Sequence, residues 1–224
     1  MAKRLIITID GPAASGKSTA ARLLAEKLGA DFLDTGAMYR AVTLAAMQDG
    51  ADLSSEKQLL GVLKKNRFRF TVKEHRMKVD INDIDVAEQI RAPEVTANAR
   101  YIASAAGVRK ELVKMQRQFA AGCEKVVTEG RDQGTVVFPD AGIKFYLTAD
   151  INERARRRQT ELSAGRDQSG LEEVKKAIEA RDRSDESRAV GPLKPAEDAV
   201  VVDTTDLTIE QVVEKLLKTV LDVR

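Results

Sequence analysis

An α/β fold built on a parallel sheet is the architecture this sequence predicts, and three observations predict it. Short apolar runs rich in β-branched residues recur along the chain, and helical patterns separate them. The first run, Leu5-Ile-Ile-Thr-Ile9, is unbroken rather than alternating, as expected of a strand covered on both faces. Strands that alternate with helices are joined by crossovers, and crossovers make the sheet parallel.

Five strands are expected, at Leu5–Ile9, Asp31–Leu33, Lys125–Thr128, Ile143–Thr148 and Ala199–Val202. Helical periodicity falls on Lys17–Leu28, closed by Gly29, then on Ala37–Met47, Val108–Ala121, Ile151–Ser163, Leu171–Arg183 and Ile209–Leu221. Asp150-x-x-Glu153 and Thr208-x-x-Gln211 have capping-box spacing at two of the helix starts. Arg67–Val72 and Met77–Ile81 alternate instead, and Ile84–Val86 follows the turn residues Asn82-Asp83, so Arg67 to about Ile90 reads as a small antiparallel insert. Gly165–Gly170 reads as a mobile surface loop, expected to move when nucleotide binds.

With 43% hydrophobic and 32% charged residues, the 224-residue chain is too apolar to be disordered and long enough for one good core. Its 37 basic and 35 acidic residues leave a formal charge of +2, so no global field draws it to nucleic acid or membrane. Cys123 is the single cysteine, which excludes an internal disulfide and reads as a packing residue or idle thiol. His75 is the single histidine, so no catalytic triad or zinc cluster can rest on imidazoles. Leu5–Ile9 is too short for a signal-peptide core or a transmembrane helix, and a cytoplasmic location is expected.

Directly after the first strand come Gly11, Pro12, Ala13, Ala14, Ser15, Gly16, Lys17, Ser18 and Thr19, a full match to GxxxxGK[ST] between a strand and a helix. The glycines let the backbone curl so that its amides point at phosphate oxygens, and the following helix adds its positive end. Lys17 would reach the β- and γ-phosphates of ATP, and Ser18 would hold Mg²⁺. The chain therefore reads as a P-loop NTPase fold: a five-stranded parallel sheet flanked by helices, with the antiparallel insert and a lid. The motif sets a nucleoside-triphosphate site and leaves the acceptor open.

The Asn-Lys-x-Asp element with which GTPases read guanine is absent, which leaves a small-molecule kinase as the favoured class. Such an enzyme aligns two polyanions away from water and needs arginines from several loops. Arg40, Arg109, Arg131, Arg154, Arg156, Arg157, Arg158, Arg181, Arg183 and Arg188 supply them. A rival reading has these arginines bind nucleic acid, but the basic stretch Arg154–Arg188 lacks the aromatic platforms that accompany single-strand binding.

Six separated motifs resemble those of the bacterial cytidylate kinases, in the family's order and over nearly the whole chain. They are Gly11–Thr19; Asp34-Thr-Gly-Ala-Met-Tyr-Arg40; Val108-Arg109 with Gln116-Arg117; Glu129-Gly-Arg-Asp132 running into Gly134–Ala141; Arg154-Ala-Arg-Arg157; and Arg181-Asp-x-x-Asp185-x-x-Arg188 with Pro192-Leu193. The resemblance implies transfer of the γ-phosphoryl group of ATP to CMP or dCMP with Mg²⁺, by a monomer. It implies Lys17, Arg131, Arg157 and Arg188 as catalytic residues. It implies Thr35, Arg40, Arg109, Arg131, Asp132, Arg181, Asp185 and Arg188 as the CMP-binding set. Cytosine presents an exocyclic amino donor beside two acceptors, so Asp132 with Arg109 makes the complementary pair. The implied division is a core at about 1–66, 106–150 and 190–224, a monophosphate-binding insert at about 67–105, and a lid at about 151–189. Two positions depart from the family pattern. A serine that helps bind the acceptor is Arg100 here, and an apolar residue after the Arg-Asp pair is Gln133, whose amide is expected to hold Arg100.

Overall fold

The computed structural model describes residues 4–73, 76–164 and 170–223; His75 and most of the loop expected at Gly165–Gly170 lie outside them. In chain order the elements are β1 (Leu5–Asp10), α1 (Lys17–Leu28), β2 (Asp31–Asp34), α2 (Thr35–Gln48), α3 (Glu56–Lys65), β3 (Phe68–Lys73), β4 (Arg76–Ile81) and β5 (Ile84–Asp85). There follow α4 (Pro93–Ser104), α5 (Ala106–Ala121), β6 (Lys125–Gly130), β7 (Ile143–Thr148), α6 (Ile151–Ala164), α7 (Leu171–Glu186), β8 (Val200–Asp203) and α8 (Ile209–Asp222). The main sheet has the order β2-β6-β1-β7-β8, and β3-β4-β5 form a second, small sheet. β1 pairs in parallel with β7, Ile7 opposite Ile143, and β7 in parallel with β8, Phe145 opposite Val200.

The chain forms two compact units, one made of Met1–Arg4 with Gly29–Val126 and the other of Leu5–Leu28 with Val127–Arg224. The second carries the phosphate loop. Ile7, Ile9, Phe145 and Leu147 from its strands are buried with Leu24 of α1 and Leu216 of α8. Burial is continuous over Ile7–Asp10 of β1 and Ile143–Phe145 of β7, as expected of strands covered on both faces. Thr208 and Gln211 form a reciprocal capping box at the start of α8. At α6 only half of the expected box forms: Asp150 accepts from the Asn152 amide at 2.8 Å, while the Glu153 carboxylate turns to Arg157 at 3.0 Å.

In the first unit, Leu33, Met38, Leu59, Ile90, Ile102 and Leu112 are the deeply buried side chains. The small sheet is antiparallel, and its β4–β5 turn places Asn82 and Asp83 at φ of 52° and 66°, the left-handed pair that a two-residue hairpin turn requires. Helices α3 and α4 extend the sequence reading. Ser55 caps α3 by accepting from the Gln58 amide, and Pro93 opens α4 at a position where its missing N–H costs nothing.

Candidate active site

The phosphate loop begins where β1 ends. Gly11 has φ of 154°, and a Cβ there would stand 2.1 Å from the Leu147 carbonyl oxygen, so only glycine lets the loop leave the sheet at this point. Lys17 curls back on the loop and its Nζ donates to the Pro12 carbonyl at 2.8 Å. Burial, reinforced by the Arg131 charge, pulls its pKa down to about 7. Ser15 is fully buried and its hydroxyl has no hydrogen-bond partner among the described residues, while Ser18 and Thr19 are exposed in the first turn of α1.

β6 ends in the segment that carries Arg131 and Asp132. Arg131 Nε donates to Asp185 Oδ2 at 2.6 Å, and Arg188 pairs with the other oxygen of the same carboxylate. Burial alone would raise the Asp185 pKa, but the two guanidinium groups outweigh it and hold the carboxyl below its usual range. Arg131 is held above its ordinary value because the Asp185 and Glu129 charges outweigh the penalty of burial. Arg181 lies one helical turn before Asp185, exposed on α7, and its charge acts on both Asp185 and Lys17. Helix α7 closes at Glu186, so Arg188 meets Asp185 from beyond the helix end and not from its face. Arg157 donates from Nη1 to Thr204 Oγ1 at 3.0 Å and from Nη2 to the Thr204 carbonyl at 2.6 Å.

Asp10, Asp182 and Thr204 are buried polar residues of this unit that sequence reading did not single out. The two Asp10 oxygens accept the Gln133 amide at 2.9 Å and the Gly134 amide at 2.8 Å, which fixes the backbone directly after Asp132. Burial pushes its pKa up to about 7. Asp182 accepts the Ala13 amide at 2.9 Å and pairs with Arg154. Thr204 Oγ1 shares its hydrogen between the Thr148 carbonyl at 3.0 Å and the Ser15 carbonyl at 3.3 Å. These bonds join residues far apart in sequence, so no local pattern announces them.

The residues expected at the acceptor divide between the units, with Asp132, Arg131, Arg181, Asp185 and Arg188 in one and Thr35, Arg40 and Arg109 in the other. Asp34 caps α2 through the Ala37 amide at 2.8 Å, which places Thr35 as its first residue, and Asp34 also stands 3.5 Å from Arg40 Nη2. The Arg40 Nε is buried without a hydrogen-bond partner among the described residues. Arg109 is buried on α5 with its guanidinium over the Tyr39 ring, 5.7 Å from the centroid.

Gln133 and Arg100 fall in different units. Gln133 is buried and its Oε1 accepts from Thr128 Oγ1 at 2.9 Å. Arg100 is exposed, lies 5.0 Å over the ring of its neighbour Tyr101 and donates to that phenol at 3.3 Å. Cys123 is buried, and burial, followed by the hydrogen bond and charge of Asp31, pushes its thiol up to about 12, in keeping with an idle thiol. No helix among the described residues is long and apolar enough to cross a membrane.

The chain is 46% identical over its full length to a cytidylate kinase of Bacillus anthracis, of which it covers 99%. Among solved structures it resembles a Thermus thermophilus protein, with a TM-score of 0.53 and 20% identity over 98% of this chain and 97% of that one. A shikimate kinase from Bacteroides thetaiotaomicron gives a TM-score of 0.50 at 13% identity over 97% and 98% of the two chains, a likeness of fold alone. The family model described as cytidylate kinase matches residues 7–222, and on that match, with the relative above, the chain belongs to the cytidylate kinase family, a family of phosphotransferases.

Proposed function

We propose that the chain transfers the γ-phosphoryl group of ATP to CMP, and to dCMP, giving CDP or dCDP and ADP. The observation that carries this reading is similarity to a cytidylate kinase over the full length of both chains. An oxygen of the CMP phosphate attacks the γ-phosphorus while the bond to the β–γ bridging oxygen breaks, so the displaced charge leaves on ADP and no protein nucleophile is needed. The residues supply position and positive charge.

Amides of Gly11–Thr19 and the positive end of α1 cradle the β- and γ-phosphates. Lys17 exchanges the Pro12 carbonyl for phosphate oxygens, whose charge draws its proton affinity back up. Arg131 and Arg188 face the transferred group with their directions set by Asp185, and Arg157 joins them by exchanging Thr204 for phosphate. Thr35 and Arg40 hold the acceptor phosphate, Asp132 accepts from the cytosine amino group, Arg109 donates to the base, and Arg181 and Asp185 complete the contacts to sugar and phosphate. Mg²⁺ would neutralise phosphate charge, held by nucleotide oxygens and the Ser18 hydroxyl. The exposed position of Ser18 suits a metal that takes few protein ligands, and no acidic, imidazole or thiol cluster able to cage one occurs among the described residues. Residues of about 151–189 would act as the lid, in a monomer of the cytoplasm.

The test is ADP release from ATP and Mg²⁺ with CMP, dCMP, UMP and AMP in turn. CMP and dCMP are expected to react at least about tenfold faster than the others, the scale of one lost polar contact in the transition state. Faster turnover with UMP or AMP overturns the reading.

A further inference from the structure

Ala14 is a non-glycine residue at φ of 58°, in the middle of the phosphate loop. An L-residue pays for the left-handed conformation and keeps it only where its surroundings leave no alternative. Here the surroundings are specific. Ala13, the residue before Ala14, is held at both of its flanking peptide groups: Asp182 Oδ1 accepts from the Ala13 amide at 2.9 Å, and Arg154 Nη1 donates to the Ala13 carbonyl at 3.1 Å. Asp182 and Arg154 also pair with each other, and Arg154 Nε is anchored on the Ala149 carbonyl at 3.1 Å. The Asp182 and Arg154 side chains are only 9% and 11% exposed, so their bonds are shielded from competing water. Beneath this pair, Ala13 packs into an apolar cluster with Ala155 of α6 and Val174 and Ile178 of α7, and Ala14 lies against it with Ile151 and Leu171.

The tip of the phosphate loop is thus fastened to the base of the α6–α7 hairpin by one carboxylate, one guanidinium and a small apolar socket. We propose that Asp182 and Arg154 are positioning residues for ATP: they form a latch that holds the backbone of Ala13 by its N–H and its carbonyl, and with it the phosphate-binding amides, in shape before the nucleotide arrives. This rests on the reading of Gly11–Thr19 as the ATP site. Neither residue need touch ATP. Preorganisation of this kind lowers the cost of ordering the loop on binding, so its loss is felt in nucleotide affinity.

Mg·ATP and CMP affinities of the full chain, measured by titration calorimetry, test the latch with Asp182→Ala, Asp182→Asn and the double variant Asp182→Ala/Ala14→Gly. Asp182→Ala should weaken Mg·ATP about tenfold or more while CMP stays within about threefold, and the Ala13 amide should lose its protection from hydrogen exchange. Asp182→Asn keeps an acceptor for that amide and gives up the charge, so it should fall between Asp182→Ala and wild type. Glycine takes the left-handed conformation without the Cβ penalty, so adding Ala14→Gly should recover about threefold or more of the ATP affinity lost in Asp182→Ala. A purely structural role would not be rescued this way. Mg·ATP affinity within twofold of wild type in both Asp182 single variants overturns the latch, as does an equal loss of ATP and CMP affinity. Failure of the wild-type chain to bind Mg·ATP would instead overturn the ATP site itself.

Discussion

In the unit that carries the phosphate loop, buried charges brace one another: Asp185 holds two arginines, Asp182 holds Arg154 and a loop amide, and Asp10 holds two consecutive amides. In the unit of residues 29–126 Arg40 is held more lightly. Arg40 reaches Asp34 at 3.5 Å, and Arg109 leans on the Tyr39 ring and donates to the Ala103 carbonyl at 3.4 Å. The contrast follows from what each unit would bind. The braced unit would meet the triphosphate and the transferred group, a dense charge that a preorganised cradle meets best, whereas Arg40 would complete its contacts on the acceptor phosphate.

The largest effect should come from Asp185→Ala, which leaves Arg131 and Arg188 in place without the carboxylate they share. Breaking a buried pair by removing one partner costs about 3–5 kcal/mol, so the urea midpoint should fall steeply and turnover with it. Asp34→Ala, in the other unit, removes a helix cap and a long ion pair and should cost only about 1 kcal/mol. If the two variants lose equal stability, the contrast between the units fails.

Asp10 sharpens the same contrast through pH. Its folded pKa stands at about 7 against an ordinary 3.8, so the protonated carboxyl is the form that the fold favours. Its contribution to stability is therefore fully present below pH ~4 and is lost as pH rises through about 7, by up to about 1.4 kcal/mol per pH unit inside that window. Urea melts at intervals from pH 4 to 8 should show this slope in wild type, and Asp10→Asn should flatten it. An unchanged slope would mean that Asp10 titrates normally.

Lys17→Ala should lower kcat by about a hundredfold or more, the scale of losing a preorganised charge at the transition state, and leave the thermal midpoint near wild type or above it. A variant within threefold of wild type would remove Lys17 from the mechanism. Because its pKa is about 7 before nucleotide binds, binding above that pH takes up a proton. Mg·ATP affinity should accordingly weaken by up to about tenfold per unit as pH rises from 7, and Lys17→Ala should lose that dependence.

The sheet, the phosphate loop and the insert were legible because each has a local signature: unbroken apolar runs, a motif of fixed spacing, and alternation around Asn82-Asp83. Helix α3 was not, since EKQLLGVLKK buries only Leu59 and Val62 on a charged helix interrupted by Gly61, although Ser55-x-x-Gln58 had the spacing of a cap. At the site, Lys17 could be named from its motif. Asp182 and Thr204 could not, because they act on loop residues 169 and 189 positions away, and an Asp within an Arg-Asp-x-x-Asp run looks like any helix-surface charge until its partner is placed.

Asp132→Ala tests the base-reading assignment. Losing a charged hydrogen bond to the cytosine amino group should weaken CMP by about 1.5–3 kcal/mol and leave Mg·ATP close to wild type. UMP, which lacks that amino group, should lose much less. Equal losses for CMP and UMP would contradict the assignment.

The smallest effects should come from Arg100 and Gln133, the two departures from the family pattern. Gln133→Ile removes the acceptor of the buried Thr128 hydroxyl, so its cost should be to stability, about 1–2 kcal/mol, in the braced unit. Arg100→Ala removes a surface contact with the adjacent Tyr101 and should change CMP affinity by less than about twofold. Gln133 accepts from a buried threonine, and Arg100 donates to a half-buried phenol. Nothing in those contacts passes energy from one residue to the other, so the double variant should be additive in both stability and CMP affinity to within about 0.5 kcal/mol. A larger coupling would mean that the lightly held unit feels the braced one through these positions, and the division of labour between the two would have to be redrawn around them.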